Sequence, residues 1–435
     1  MKYYSTNHNV PEATLQEAVV KGLASDRGLF MPERIERMPA GFFEDIDKMS
    51  FHEIAVCVAR CFFGEDVERD ALEDIVRDTL SFPTPVVEVE SGIYSLELFH
   101  GPTLAFKDVG ARFMARLLRY FINRGSDRRM VHVLVATSGD TGSAVANGFL
   151  GVDGIKVHVL YPKGKVSPIQ ECQFATLGDN ITAIEVDGTF DDCQRLVKSA
   201  FMDEELNNRL LLTSANSINV ARFLPQSFYY FNAYAALKSK GVGNDVVVCV
   251  PSGNFGNLTA GLIAHRMGLP VKRFVAANNA NDIFYNYLST GVYSPRPSTP
   301  TIANAMDVGD PSNFARILDL YGENHADVVS LISGAAYSDD EIADTIKECY
   351  ECTGYLLDPH GACAYRALRE QLNPGETGVF LETAHPAKFR DTVSSITGRD
   401  VEIPPRLAAF MNGEKMSVAM DKEFKYFKQY LEQLL

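Results

Sequence analysis

The chain has 435 residues, 46% of them hydrophobic and 22% charged, with a formal net charge of -15. This composition is globular rather than disordered, and the length predicts two or three domains rather than one core. An acidic surface repels phosphate backbones, so neither nucleic acid nor an anionic membrane is an expected partner. The opening MKYYSTNHNV has no basic region followed by an apolar run, and no stretch approaches about 18 consecutive apolar residues, so a cytoplasmic protein is expected. Eight cysteines spread along the chain suit reduced thiols. The CxxC formed by Cys349 and Cys352 lacks a second ligand pair, and no metal is expected.

In chain order, helical patterns at 12–24, 51–62 and 67–80 predict an N-terminal cap region over 1–92. From 93 onward, β-rich runs alternate with longer amphipathic stretches: IYSLELF, VHVLVA, IKVHVLY, NITAIEV, RLLLTSA, DVVVCVP, VKRFVAA and TGVFLET. That rhythm predicts βαβ units, and near-continuous apolar runs such as VVVCV predict parallel strands covered on both faces. The expected architecture is α/β with two doubly wound, mostly parallel domains at 93–235 and 236–435. The Pro-, Ser-, Thr- and Asn-rich segment 293–313 is too long for an ordinary connection, and reads as an active-site loop or a surface excursion.

Five segments carry candidate chemistry. In FHGPTLAFKDVGARF (99–113), Lys107 falls at the start of a predicted helix, where the macrodipole disfavours an ammonium and apolar Leu104, Ala105 and Phe106 desolvate it. An amine that attacks a carbonyl suits that place, although an exposed lysine at a helix start has the same pattern. TSGDTGSA (137–144) lies between a strand and a helix, so Ser138, Thr141 and the Gly139 and Gly142 backbone form a candidate carboxylate cradle; Asp140 opposes a phosphate there and suits a helix cap. ANSINVARF (215–223) gathers Asn216, Ser217, Asn219 and Arg222 at a helix onset, a candidate site for a substrate phosphate with Lys163 and Lys165 as further donors. PSGNFGNLTAG (251–261) joins a strand to a helix through Gly253 and Gly256, which suits one phosphate monoester and equally a plain tight turn. LETAHPAKF (381–389) sets Thr383 at a strand's carboxyl end, where ligands of open α/β sheets collect; His385 and His100 read mainly as hydrogen-bonded structural residues.

Taken together, YYSTN near the start, HGPTLAFKD, TSGDTGSA, PSGNFGN and LETAHPAKF resemble the bacterial and fungal threonine synthases, of the tryptophan-synthase-β-like fold type II pyridoxal-phosphate enzymes. The resemblance spans almost the whole chain. It implies a pyridoxal 5'-phosphate cofactor bound as a Schiff base by Lys107, with its phosphate held by Gly253, Asn254 and Phe255 and its pyridine nitrogen by Thr383. Asp108, Ser252, Gly256 and Asn257 complete the expected cofactor set; many members carry Asp where Asn257 stands. The implied reaction is a lyase step converting O-phospho-L-homoserine and water to L-threonine and phosphate, by γ-elimination and β-addition of water. Thr137, Ser138, Gly139, Asp140 and Thr141 are expected on the substrate carboxylate, and Lys163, Asn216, Ser217, Asn219 and Arg222 on its phosphate. A threonine or serine dehydratase, or a phospholyase, is the alternative reading. A monomer or homodimer is expected.

Overall fold

A computed structural model describes residues 1–125 and 127–435. They form two compact units that alternate along the chain: Met1, Met31–Phe106 and Phe223–Ile403 make the first, and Lys2–Phe30, Lys107–Arg222 and Pro404–Leu435 the second. The α/β class and the parallel sheets are as expected. The cuts expected at residues 92 and 235 do not coincide with these boundaries, because the N-terminal helices need partners for their apolar faces. Phe51–Phe63 buries Ile54, Ala55, Val58, Ala59, Phe62 and Phe63 and packs on Ser227–Ser239 in the first unit. Leu15–Lys21 packs on Lys107–Arg124 in the second.

In the first unit six strands lie in the order Ile332–Ala336, Val271–Asn278, Val246–Pro251, Thr377–Glu382, Ile93–Glu97 and Val86–Glu90. The ladders are parallel through Ile93–Glu97, with Val248 opposite Val379 and Phe380 opposite Ser95, and Val86–Glu90 closes the edge antiparallel. Every residue of Val246–Pro251 is buried, as expected for a strand covered on both faces. The second unit holds five parallel strands in the order Ser417–Asp421, Ile181–Asp187, Ile155–Pro162, Val131–Ala136 and Leu211–Ser214. The singled-out segments therefore leave the carboxyl ends of parallel strands: 98–106, 252–257 and 383–389 in the first unit, and 137–141, 163 and 215–222 in the second.

Among the described residues no helix is long and apolar enough to cross a membrane, and no group of three or more His, Cys, Asp or Glu residues is arranged to hold a metal ion.

Two buried histidines sit on adjacent strands of the second unit. His132 Nδ1 lies 3.1 Å from His158 Nε2, and His158 Nδ1 lies 2.8 Å from the Tyr430 hydroxyl. Burial lowers both pKa values, His132 to about 4 and His158 to about 3, with Lys156 adding to both. Each ring is therefore neutral when folded but takes a proton in the unfolded chain below its ordinary value of 6.5. Unfolding free energy is expected to be flat above pH 6.5 and to decline as pH falls from there toward 4. Urea midpoints measured across that range check it, and a midpoint that does not move between pH 6.5 and 4.5 contradicts it.

Candidate functional site

The turn after Val246–Pro251 is braced from within. Ser252 donates its N–H to Ala277 O at 3.1 Å and its hydroxyl to Asn257 Oδ1 at 2.5 Å. Asn257 Nδ2 donates to Pro251 O at 2.9 Å, and its Oδ1 also accepts from Leu258 N. Those two side chains thus hold the turn's shape. A Cβ on Gly253 would come within 2.6 Å of Met306 Cα, so glycine is needed for the turn to seat on that segment. Phe255 has φ 59, a left-handed conformation that costs a non-glycine residue about 1–2 kcal/mol, and its ring packs 4.5 Å from that of Phe284. The amides of Gly253, Phe255 and Gly256 have no acceptor among the described residues, and they stand at the N-terminus of Gly256–Arg266. Unpaired N–H groups at a positive helix end suit a phosphate monoester.

At the end of Thr377–Glu382, Thr383 is 5% exposed and its hydroxyl has no partner among the described residues. Such a group suits a single ring nitrogen. Its carbonyl accepts from Phe106 N at 2.9 Å, His385 N donates to Leu104 O at 3.0 Å, and Ala105 and Ala384 form an isolated bridge. Leu104 at φ 59 bends the chain into this pairing, and buried Lys388 pins it by donating Nζ to Thr103 O at 2.9 Å. His385 caps its own turn by accepting from Ala387 N at 3.1 Å; burial lowers its pKa to about 4, so it is neutral. His100 meets Glu97 at 2.7 Å. Both histidines have the structural employment expected of them.

Lys107 follows Phe106 directly and is the half-buried first residue of Lys107–Arg124. In the same unit, Thr137 Oγ1 accepts from Gly139 N at 2.9 Å and Gly142 N at 2.8 Å. Thr137 therefore does the capping expected of Asp140, whose Oδ1 instead accepts from Gln170 Nε2 at 3.0 Å. Gly139, at φ 143, has Gln170 so close that a Cβ would meet it at 2.6 Å. The half-buried Ser138 and Thr141 hydroxyls have no partner among the described residues, and such donors suit a carboxylate.

Around 215–222 the outcome is divided. Asn219 is fully buried, spends its amide protons on Val19 O at 2.9 Å and Ser214 O at 3.1 Å, and accepts from Ala221 N. It ties the N-terminal segment to this turn, which corrects its expected place on the substrate phosphate. Asn216 Nδ2 donates to Ala136 O at 3.0 Å and so joins its turn to the end of the Val131–Ala136 strand, while Ser217 is half-buried beside it. Arg222 is 2% exposed and donates Nη1 to Ala215 O. Burial lowers its pKa to about 10, with Asp108 partly opposing, and a desolvated guanidinium of that kind favours a nearby anion. Lys163 is exposed after Ile155–Pro162.

Sequence reasoning missed Lys388, Asp358 and His360. Asp358 caps Pro359–Gln371 and lies 2.5 Å from His360 Nδ1, while His360 Nε2 accepts from Ala305 N at 3.2 Å. The Asp-Pro pair signals a helix start, but nothing local signals the Ala305 contact.

Two parallel-sheet units, a strand-to-helix turn with unpaired amides and a lysine at a helix start define the class, and the family described as pyridoxal-phosphate dependent enzyme matches residues 78–383. Families described as threonine synthase N terminus and threonine synthase, C-terminal match residues 2–80 and 360–431. Threonine synthase of Escherichia coli K12 is 47% identical over 408 residues, covering 94% of each chain. The crystal structure of threonine synthase from Escherichia coli superposes with TM-score 0.94 at 44% identity over all of both chains. A PLP-bound threonine synthase from Brucella melitensis gives TM-score 0.92 at 35% identity, covering 100% of this chain and 99% of that one. The chain belongs to the threonine synthase family of pyridoxal-phosphate enzymes.

Proposed function

We propose that this enzyme converts O-phospho-L-homoserine and water to L-threonine and phosphate. The observation that carries the reading is a set of donors left unpaired among the described residues, all at carboxyl ends of parallel strands: the amides of Gly253, Phe255 and Gly256, and the hydroxyls of Ser138, Thr141 and Thr383. They suit a phosphate, a carboxylate and a ring nitrogen.

Lys107 would hold the cofactor through its aldehyde, the amides of Gly253, Phe255 and Gly256 would hold its phosphate, and the Thr383 hydroxyl would meet its ring nitrogen without adding charge. Pyridoxal phosphate, when bound, supplies an electron sink for bonds at the substrate's α-carbon. Ser138 and Thr141 orient the substrate by its carboxylate, with Thr137, Gly139 and Asp140 shaping that turn. With its side chain free, Lys107 would take the Cα proton as general base. Arg222, Ser217 and Asn216 hold the leaving phosphate, with Lys163 at the rim, and stabilise the charge that develops as it departs. Asp108 holds the Lys107 helix against Arg222, and Ser252 and Asn257 keep the cofactor turn in shape.

Incubating the protein with phosphohomoserine and assaying both products tests the reading. Phosphate and threonine are expected in equal amounts; a keto acid with ammonia would instead establish a dehydratase. Arg222→Met is expected to lower kcat/KM for phosphohomoserine about 10- to 100-fold, the size of a lost charge-assisted hydrogen bond. An unchanged value would remove Arg222 from the phosphate site. We infer a cytoplasmic monomer or homodimer, which light scattering on the purified protein distinguishes.

A further inference from the structure

The segment 293–313 proves to buttress the cofactor turn. Ser312 N donates to Asn254 Oδ1 at 2.7 Å. Asn313 then places two donors on one carbonyl oxygen: its backbone N reaches Asn254 O at 3.3 Å and its Nδ2 reaches the same atom at 3.0 Å. Behind Asn313, Arg316 Nη1 donates to Asn313 Oδ1 at 2.6 Å, which fixes the amide so that Nδ2 faces Asn254. Arg316 is fully buried, with its guanidinium 4.0 Å over the ring of Phe223. Burial presses its pKa down to about 9, with Asp319 opposing. Keeping a desolvated arginine behind a turn is costly, and a plain loop contact does not require it.

The peptide joining Asn254 to Phe255 explains why the carbonyl needs holding. Peptide units are planar and trans, so the C=O and N–H of one unit point in opposite directions. An oxygen held on Asn313 aims the Phe255 N–H away from Asn313, and that amide is one of the three without an acceptor. Rotation of this unit would bring an oxygen, not an N–H, to the anion. The left-handed Phe255 makes such a rotation attractive, because relaxing φ 59 releases about 1–2 kcal/mol. A strained, aromatic left-handed residue must be over-determined by its surroundings.

We infer that Arg316 and Asn313 are positioning residues, a clamp that locks the Asn254–Phe255 peptide with its N–H toward the cofactor phosphate and so sets the turn's phosphate affinity. This rests on the reading that residues 253–256 bind that phosphate. Arg316 acts through Asn313, and Asn313 acts through the Asn254 carbonyl; neither touches the reacting atoms.

The clamp predicts an effect confined to the phosphate. Apoprotein is titrated with pyridoxal phosphate and, separately, with pyridoxal, which lacks the phosphate, for the wild type, Asn313→Ala and Arg316→Gln. Thermal midpoints of the apoproteins are recorded alongside. Asn313→Ala is expected to weaken pyridoxal-phosphate binding about five- to tenfold, matching one lost hydrogen bond and a freed peptide, with pyridoxal binding unchanged within about twofold. Arg316→Gln, which retains a donor for Asn313, is expected to give a smaller loss of the same kind. Equal losses for both ligands, or no loss for either, would overturn the clamp. Should Arg316→Gln fail to fold, Asn313→Ala decides alone, with its apoprotein thermal midpoint showing that it has folded. A wild type that does not itself prefer pyridoxal phosphate to pyridoxal would instead overturn the phosphate reading of the turn.

Discussion

Lys107→Ala is expected to reduce threonine formation at least about 10³-fold while leaving the apoprotein as stable as the wild type. The two halves of that expectation have separate causes. Lys107 is the first residue of Lys107–Arg124, where a positive side chain opposes the helix macrodipole and alanine is the better helix former, so both helix terms favour the exchange. The chemistry has every need of it, since the proposal assigns to that one amine both the covalent hold on the cofactor and the transfer of the Cα proton. The visible spectrum should therefore revert to that of the free aldehyde, and an added primary amine should restore a small fraction of turnover. Full turnover by the mutant, with an unaltered spectrum, would remove Lys107 from the reaction altogether. A mutant that unfolds would show that the residue's structural share outweighs the helix terms.

Gly110→Ala is expected to be damaging by an unrelated route. In an isolated helix this exchange gains up to about 1 kcal/mol. Here a Cβ at 110 would overlap the carbonyl oxygen of Arg222, and that obstacle is backbone, with no flexible end to swing aside. Overpacking of this kind costs about 1–3 kcal/mol or more, so the clash outweighs the propensity and the net effect is destabilising. The helix start and the Arg222 turn must move apart to admit the methyl. Lys107 lies three residues before Gly110 in the same helix, and displacements near 1 Å at a reacting group can cost about 100-fold in rate. A lowered thermal midpoint together with a fall in kcat, rather than in cofactor affinity, is the expected signature. A stability equal to or above the wild type would show that the turn yields easily, and would weaken the claim that Gly110 fixes the Lys107 helix against it.

The fold was largely legible in the sequence where the signal is local. Buried parallel strands announce themselves as unbroken apolar runs, as VVVCV does for Val246–Pro251 and VHVLVA for Val131–Ala136, both buried throughout. Two of the strands that escaped notice have the opposite character. Ile332–Ala336 reads ISGAA, with little β-branched content, and Ser417–Asp421 exposes four of its five residues at a sheet edge. Neither pattern demands a strand until a neighbour offers its ladder. The division into units was likewise invisible, because the alternation of 2–30, 31–106, 107–222, 223–403 and 404–435 depends on which distant apolar face each helix meets.

For the site, the sequence by itself determined which chemistry was present: a lysine at a helix start, two glycine-bearing turns between strand and helix, a threonine ending a strand and an arginine at a helix onset. These are short-range features, set by a residue's immediate neighbours and by the strand or helix it terminates, and Lys107 and Thr383 were named from them alone. Only the tertiary structure decided how the polar groups are spent. Ser252 and Asn257 turn inward to brace their turn, Thr137 caps where Asp140 was expected, and Asn219 gives both amide protons to Val19 and Ser214. Arg316 holds Asn313 against Asn254, which lies 59 residues away from Asn313 in the chain. The physical reason is that a buried polar group must be paired, and its partner is chosen by whatever the fold brings within about 3 Å, a choice that sequence spacing does not encode.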